Sequence, residues 1–318
     1  MNLKNVWRLI RGNNLIFIAL TMYLFKYVVI SERLLINGVF YSENADQTAG
    51  LLFLFIVLGT VFIAAAGYVI NDVNDVATDK INKPEKVIVG SIITKKSATQ
   101  VYHFLNITGL VISGIAFFLL GKITLITIPL LASMMLYLYA VKHKCNGLLG
   151  NLFIAFSTAL VIVLVWLFEY YRLIIGGAHY QLNDSGFQTI LAGYILFSFV
   201  LTLLREWAKD RQDLAGDLKS GCRHFMAKRS EKTSSIILFS GTLLFVIFVL
   251  TWQYFLFKNL DGHALFISGF FSLVIVAFIY ALPLALKAKT KADFGRLSSL
   301  YKLLMFAGII AMALIIIN

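Results

Sequence analysis

Residues 50–90 read GLLFLFIVLGTVFIAAAGYVINDVNDVATDKINKPEKVIVG. The stretch from 50 to 70 carries no charged residue. It is long enough to cross a bilayer as a helix, which takes about 20 apolar residues. Beyond it, Asp72, Asp75, Asp79 and Glu85 follow in quick succession, with Lys80, Lys83 and Lys86 behind them. A greasy span therefore runs straight into a dense acidic cluster, and this junction sets the reading of the whole chain.

Outward from it, further apolar runs of spanning length lie near 14–31, 100–120, 123–141, 149–170, 188–206, 234–256, 265–286 and 299–317. With 50–70 they predict an all-α polytopic membrane protein of nine transmembrane helices, one bundle around a central cavity. The whole chain, 1–318, is expected to be a single domain made of two related halves, about 1–145 and 146–318. Pro129 and Pro283 fall inside spans and are expected to kink them. The chain is 59% hydrophobic and 14% charged, whereas soluble domains run near 45–50% apolar and about 25% charged. That composition excludes a soluble enzyme, a disordered chain and a nucleic-acid module. Cys145 and Cys222 are far apart in sequence and form no CxxC, so neither a disulfide nor a zinc framework is expected. The N-terminal segment enters its apolar run without a small-residue cleavage site and reads as an uncleaved first span.

The net charge is +12. Of the 28 Lys and Arg, all but Lys26, Arg33, Lys122, Arg172 and Lys258 fall on one side of the nine-span topology. The positive-inside rule makes that side cytoplasmic. It places the N-terminus and the acidic segments in the cytoplasm of an inner-membrane protein and Asn318 outside.

Half of the 16 acids lie in two short segments on that side. Asp72, Asp75 and Asp79 are spaced i, i+3, i+7, and so are Asp210, Asp213 and Asp217. On a continuous helix each trio would occupy about 60° of arc. Asn71 and Glu206 each stand four residues before a member of their trio. Three carboxylates on one face repel one another unless cations neutralise them. Hard oxygen ligands suit Mg²⁺, which binds through one or two carboxylates plus substrate phosphates. Two facing trios therefore read as a Mg²⁺–diphosphate site, with Lys80, Lys83, Lys86, Lys142, Lys144, Lys209 and Arg211 available for phosphate oxygens. Such a site at the mouth of an apolar bundle fits a prenyl diphosphate: an anionic head on a long apolar tail. A divalent-cation transporter is the contrasting reading. It would need acids deep in several spans, which carry almost none. A catalytically silent lipid-binding relative is another.

These residues resemble the UbiA superfamily of intramembrane prenyltransferases. Asn71–Gly90 is similar to its first signature, NDxxDxxxD followed by Asn-x-Pro and Gly. Arg205–Cys222, REWAKDRQDLAGDLKSGC, is similar to the second. Leu136–Asn151, LYLYAVKHKCNGLLGN, resembles the family's Tyr-rich fourth helix followed by Lys and Leu-Gly-Asn. Arg11 and Asn14 resemble an Arg-x-x-Asn in its first helix. The resemblance implies Mg²⁺ ligation by Asp72, Asp75, Asp79, Asp210, Asp213 and Asp217. It implies catalytic roles for Asp75, Asp79, Asp213, Asp217 and Lys144, and substrate contacts for Asn71, Arg11, Asn14, Tyr139, Lys80, Lys86 and Arg211. The second signature most resembles enzymes that prenylate geranylgeranylglyceryl phosphate. A quinone-precursor acceptor, hydroxybenzoate or dihydroxynaphthoate, is the alternative. His224 and Met226 depart from the usual Thr and Pro, and His224 reads as a satisfied loop histidine. His103, His143, His179 and His263 show no ligand spacing.

Overall fold

The computed structural model describes residues 2–31, 34, 43–175, 185–259 and 264–313. The expected C-terminus at Asn318, His179, His263 and most of the loop between Tyr171 and Asp184 lie outside them.

Helix α1 (Leu3–Leu9) is opened by Asn2, whose side chain accepts the Asn5 N–H at 3.0 Å. Next come α2 (Gly12–Leu24), prolonged by a wider π-type turn over Phe25–Ile30, and α3 (Glu43–Asn74). The short α4 (Val76–Asn82) leads to α5 (Lys95–Leu119) and α6 (Thr127–Leu138), which ends in a second π-type turn, Tyr139–His143. Then follow α7 (Leu149–Ile175), α8 (Ser185–Gln212), the short α9 (Leu214–Lys219), α10 (Glu231–Asn259), α11 (Ala264–Lys287) and α12 (Lys291–Ala313). Each expected span thus falls on a long helix. Among the described residues, 8 helices are long and apolar enough to cross a membrane, and α11 adds a shorter apolar stretch, Val274–Lys287.

Two expectations need correction. Pro129 lies in the first turn of α6, after a 3₁₀ turn at Ile123–Ile126. An N–H has no helical acceptor there, so proline costs nothing; only Pro283 is inside a helix. The acidic trios do not ride on continuous helices either. α3 stops at Asn74 and α8 at Gln212. Asp75 (φ −87°, ψ 0°) and Asp213 (φ −93°, ψ 2°) then start α4 and α9. Both middle aspartates take the sparsely populated bridge conformation found at many active sites.

Aromatic side chains fill the interior. Phe53 packs on Phe168, Tyr194 on Phe25 and Trp252, and Phe245 on Phe197 and Phe278. Away from the acidic end, Glu169 is buried between Lys26 and Arg172, as charges inside a membrane bundle must be. Helices α3 and α5 cross at Gly59 and Gly109, where small residues allow the backbones to meet. A Cβ on either glycine would lie 2.8 Å from the other's carbonyl oxygen. Because the obstacle is backbone, Gly109→Ala is expected to cost about 1–3 kcal/mol, measured as a lower melting temperature in detergent.

Candidate active site

The two acidic segments face each other across a polar cavity of about 370 Å³. Asp72, Asp75, Asp79, Asp210, Asp213 and Asp217 all line it, together with Arg8, Arg11, Asn71, Lys83, Lys86, Tyr139, Lys144 and Lys209. Asn82, at the end of α4, ties the halves of the site together. Its Nδ2 donates to the Asp213 carbonyl at 2.7 Å, and its Oδ1 accepts the Gly216 N–H at 2.9 Å. Thr78 Oγ1 donates to Ser220 Oγ at 2.9 Å alongside.

Most of the carboxylates have a partner from a different element. Arg11 meets Asp72 at 2.9 Å, Lys83 meets Asp213 at 2.8 Å, and Lys144 pairs with Asp75. Asn71 Nδ2 also donates to Asp75, at 2.6 Å. Asn151 Nδ2 donates to Asp210 at 2.9 Å. Arg11 reaches its partner from a left-handed backbone (φ 52°, ψ 53°) between α1 and α2, and its guanidinium lies over the Tyr68 ring. A non-glycine residue held there is strained, and such strain concentrates at functional sites. Asp79 has no ion pair among the described residues; burial, and then the neighbouring Asp75 charge, raise its pKa above the ordinary carboxylate value.

His224 is buried against the second trio. Its Nε2 lies 3.1 Å from Asp217 Oδ2, and its Nδ1 accepts the Ala227 N–H at 3.1 Å. Nδ1 is also 3.6 Å from Asp210. Burial opposes its charge, but the hydrogen bond to Asp217 and the two carboxylates prevail, so its pKa is raised. Three residues expected at the phosphates lie elsewhere. Lys80 and Lys142 are exposed and line neither cavity. Arg211 turns to the Arg229 carbonyl at 3.2 Å and the Phe294 ring. Lys83 and Lys209, expected from the sequence beside the trios, do line the cavity, and Asn82 and Asn151 take part without having been singled out. Lys83 stands just past the end of α4, four residues after Asp79, and its N–H donates to the Asp79 carbonyl at 2.8 Å.

The polar cavity adjoins an apolar one of about 290 Å³, which reaches between the spans past Phe17, Ile63, Leu136 and Val161 to Phe197 and Met312. Arg11, Asn71, Tyr139 and Lys209 line both. Asn14 sits at the rim of the apolar cavity, where its Nδ2 donates to Tyr68 OH at 3.3 Å.

Cys145 and Cys222 form a disulfide, with Cα atoms 4.6 Å apart, against expectation. The residues that follow them explain it: Asn146–Gly147 pairs in parallel with Arg223–His224, which draws the two loops together. The bridge adjoins Lys144 on one side and His224 on the other.

Residues 35–313 match the UbiA prenyltransferase family. The chain belongs to that family. Digeranylgeranylglyceryl phosphate synthase of Sulfolobus acidocaldarius is 33% identical over 245 residues, 76% of this chain and 79% of the relative. The synthase of Methanococcus aeolicus is 30% identical over 271 residues, 85% and 87% of the two chains. A solved digeranylgeranylglyceryl phosphate synthase structure superposes with a TM-score of 0.63 at 25% identity, covering 98% of this chain and 96% of its own. A UbiA homologue from Archaeoglobus fulgidus, solved with DMAPP and Mg²⁺, shares the fold at a TM-score of 0.57 and 16% identity, over 97% and 99% of the chains. The protein is thus an integral membrane prenyltransferase.

Among the described residues, no three carboxylates, imidazoles or thiols converge on one point as ligands, because lysine, arginine, asparagine or histidine holds most of the carboxylates at the wall. The donor set nevertheless suits a hard cation. It is all oxygen, and the Oδ1 atoms of Asn71, Asn151 and Asp213 are buried without a hydrogen-bond partner. Opening the disulfide by reduction or Cys222→Ser is expected to cost about 2–4 kcal/mol, read as a lower melting temperature in detergent with and without reductant.

Proposed function

We propose that the protein transfers a prenyl group from a prenyl diphosphate to the hydroxyl of a geranylgeranylglyceryl phosphate-like acceptor, with Mg²⁺ as cofactor. The observation that carries this reading is the meeting of an anion-handling polar cavity and a long apolar one at a shared wall. A diphosphate head fits the first and a prenyl tail the second. Asp72, Asp75, Asp79, Asp210, Asp213 and Asp217 would hold Mg²⁺, which when bound supplies positive charge to the departing diphosphate.

The chain's own groups do the rest. Lys83, Lys86 and Lys144 present ammonium donors to phosphate oxygens. Asn71 stands where head and tail meet. The buried Tyr139 at the same junction turns a ring towards the allylic carbon, whose growing positive charge favours a π face. The apolar walls keep water from that carbon until the acceptor arrives. The C–O bond to diphosphate breaks, a C–O bond to the glycerol oxygen forms, and the hydroxyl proton leaves with diphosphate. The acceptor is taken from the synthases that this chain resembles at 30–33% identity.

The same reading places the N-terminus and the polar cavity on the cytoplasmic face and the C-terminus outside, on the Lys and Arg distribution. An N-terminal tag should then be cleaved by protease in inverted vesicles and survive in right-side-out ones; the reverse pattern rejects the orientation.

Purified protein given radiolabelled geranylgeranyl diphosphate and Mg²⁺ is expected to label geranylgeranylglyceryl phosphate. It should not label 4-hydroxybenzoate or dihydroxynaphthoate, and EDTA should stop transfer. Asp75→Asn or Asp217→Asn should lower the rate about 100-fold or more with the melting temperature retained. Label entering an aromatic acceptor instead would overturn the acceptor assignment.

A further inference from the structure

Arg11, Arg205, Lys209 and Lys302 line the apolar cavity, against one carboxylate, Glu206. Glu206 is buried, 2.7 Å from Arg205 Nη1 and 3.7 Å from Lys209 Nζ. Arg11 is engaged by Asp72. Lys302 pairs with no carboxylate among the described residues. Its Nζ donates to Asn14 Oδ1 at 2.9 Å and lies 5.8 Å from the Phe17 ring centroid.

The packing of α12 on α8 fixes where this exposed lysine stands. Gly295 of α12 packs on Gln212 of α8, and Gly308 packs on Phe197. The two helices run antiparallel, so Lys302 is level with Arg205, near the end of α8 that leads into the second trio. A net positive cluster beside an apolar wall is costly, and Asn14 holds it there. The diphosphate does not account for it, since neither Lys302 nor Arg205 lines the polar cavity.

We infer that Lys302, Arg205 and Lys209 form a second anion site, for the phosphomonoester head of the acceptor lipid. The inference rests on the reaction proposed above and adds to it how the acceptor is held. In any glyceryl phosphate that bears one ether chain, the free hydroxyl is at most two carbons from the phosphate-bearing carbon. A phosphate on these three residues therefore keeps the hydroxyl close to the wall that the two cavities share, where Lys209 borders both. Acceptors without a phosphate leave the cations uncompensated, which gives the cluster a role in specificity.

The test is steady-state kinetics on wild type, Lys302→Ala and Lys302→Arg, with geranylgeranylglyceryl phosphate and its dephosphorylated form, geranylgeranylglycerol. Lys302→Ala is expected to raise KM for the phosphate-bearing acceptor about tenfold or more. KM for geranylgeranyl diphosphate and the melting temperature should be unchanged. Lys302→Arg should restore most of the loss. With geranylgeranylglycerol, wild type and Lys302→Ala should perform alike. Equal losses on both acceptors, or a shift in KM for the diphosphate, overturns the second anion site while leaving the reaction standing. Wild-type protein inert towards geranylgeranylglyceryl phosphate but active on an aromatic acceptor overturns the acceptor reading, and this inference with it.

Discussion

Six carboxylates crowded at the end of an apolar bundle are the constraint on which the rest depends. Each costs free energy near a low-dielectric wall unless a cation or a hydrogen-bond donor meets it. The chain meets that demand almost entirely from a distance: Arg11 from the α1–α2 junction, Lys144 from the end of α6, Asn151 from α7, Lys83 from just past α4 and His224 from the short strand Arg223–His224. None of these contacts forms unless the spans are packed and the loops return to the same face. Assembling the site and assembling the bundle are one event.

The bridge conformations of Asp75 and Asp213 divide the labour within each signature. The upstream part, Asp72 or Asp210, is rigidly attached to a membrane helix. The downstream part, Asp79 or Asp217, belongs to a short helix that leans on its counterpart through Asn82. The carboxylates thus line two sides of a cavity instead of stacking along two rods, which leaves room for a substrate head between them.

Much of this was legible in the sequence, because membrane helices and acidic spacing are local signals. Among the described residues the nine apolar runs fell on helices, and both trios came to one cavity. What was not legible depends on where the chain goes after each signal. The breaks at Asp75 and Asp213 carry no glycine or proline to mark them. Lys80 and Arg211 each follow a trio member by one residue, about 100° round a helix, so proximity in sequence turned them away from the cavity. Lys83, four residues after Asp79, reaches the cavity. Lys302 was invisible for another reason: its neighbours Asn14 and Arg205 belong to other spans. Cys145 and Cys222 gave no sign of pairing because the contact that joins their loops is two residues long on each side.

That bridge has a topological meaning. Helices α7 and α8 lie wholly between the two cysteines, so the disulfide closes a covalent ring through which the chain passes down and back. The two helices form a sealed hairpin that stays paired even if its neighbours separate. The ring is also a parity check. Since its two ends are joined atom to atom, the chain between them must cross the bilayer an even number of times. Any alternative threading that drops or adds a single crossing in this stretch is forbidden by chemistry, independently of how charge is distributed along the sequence.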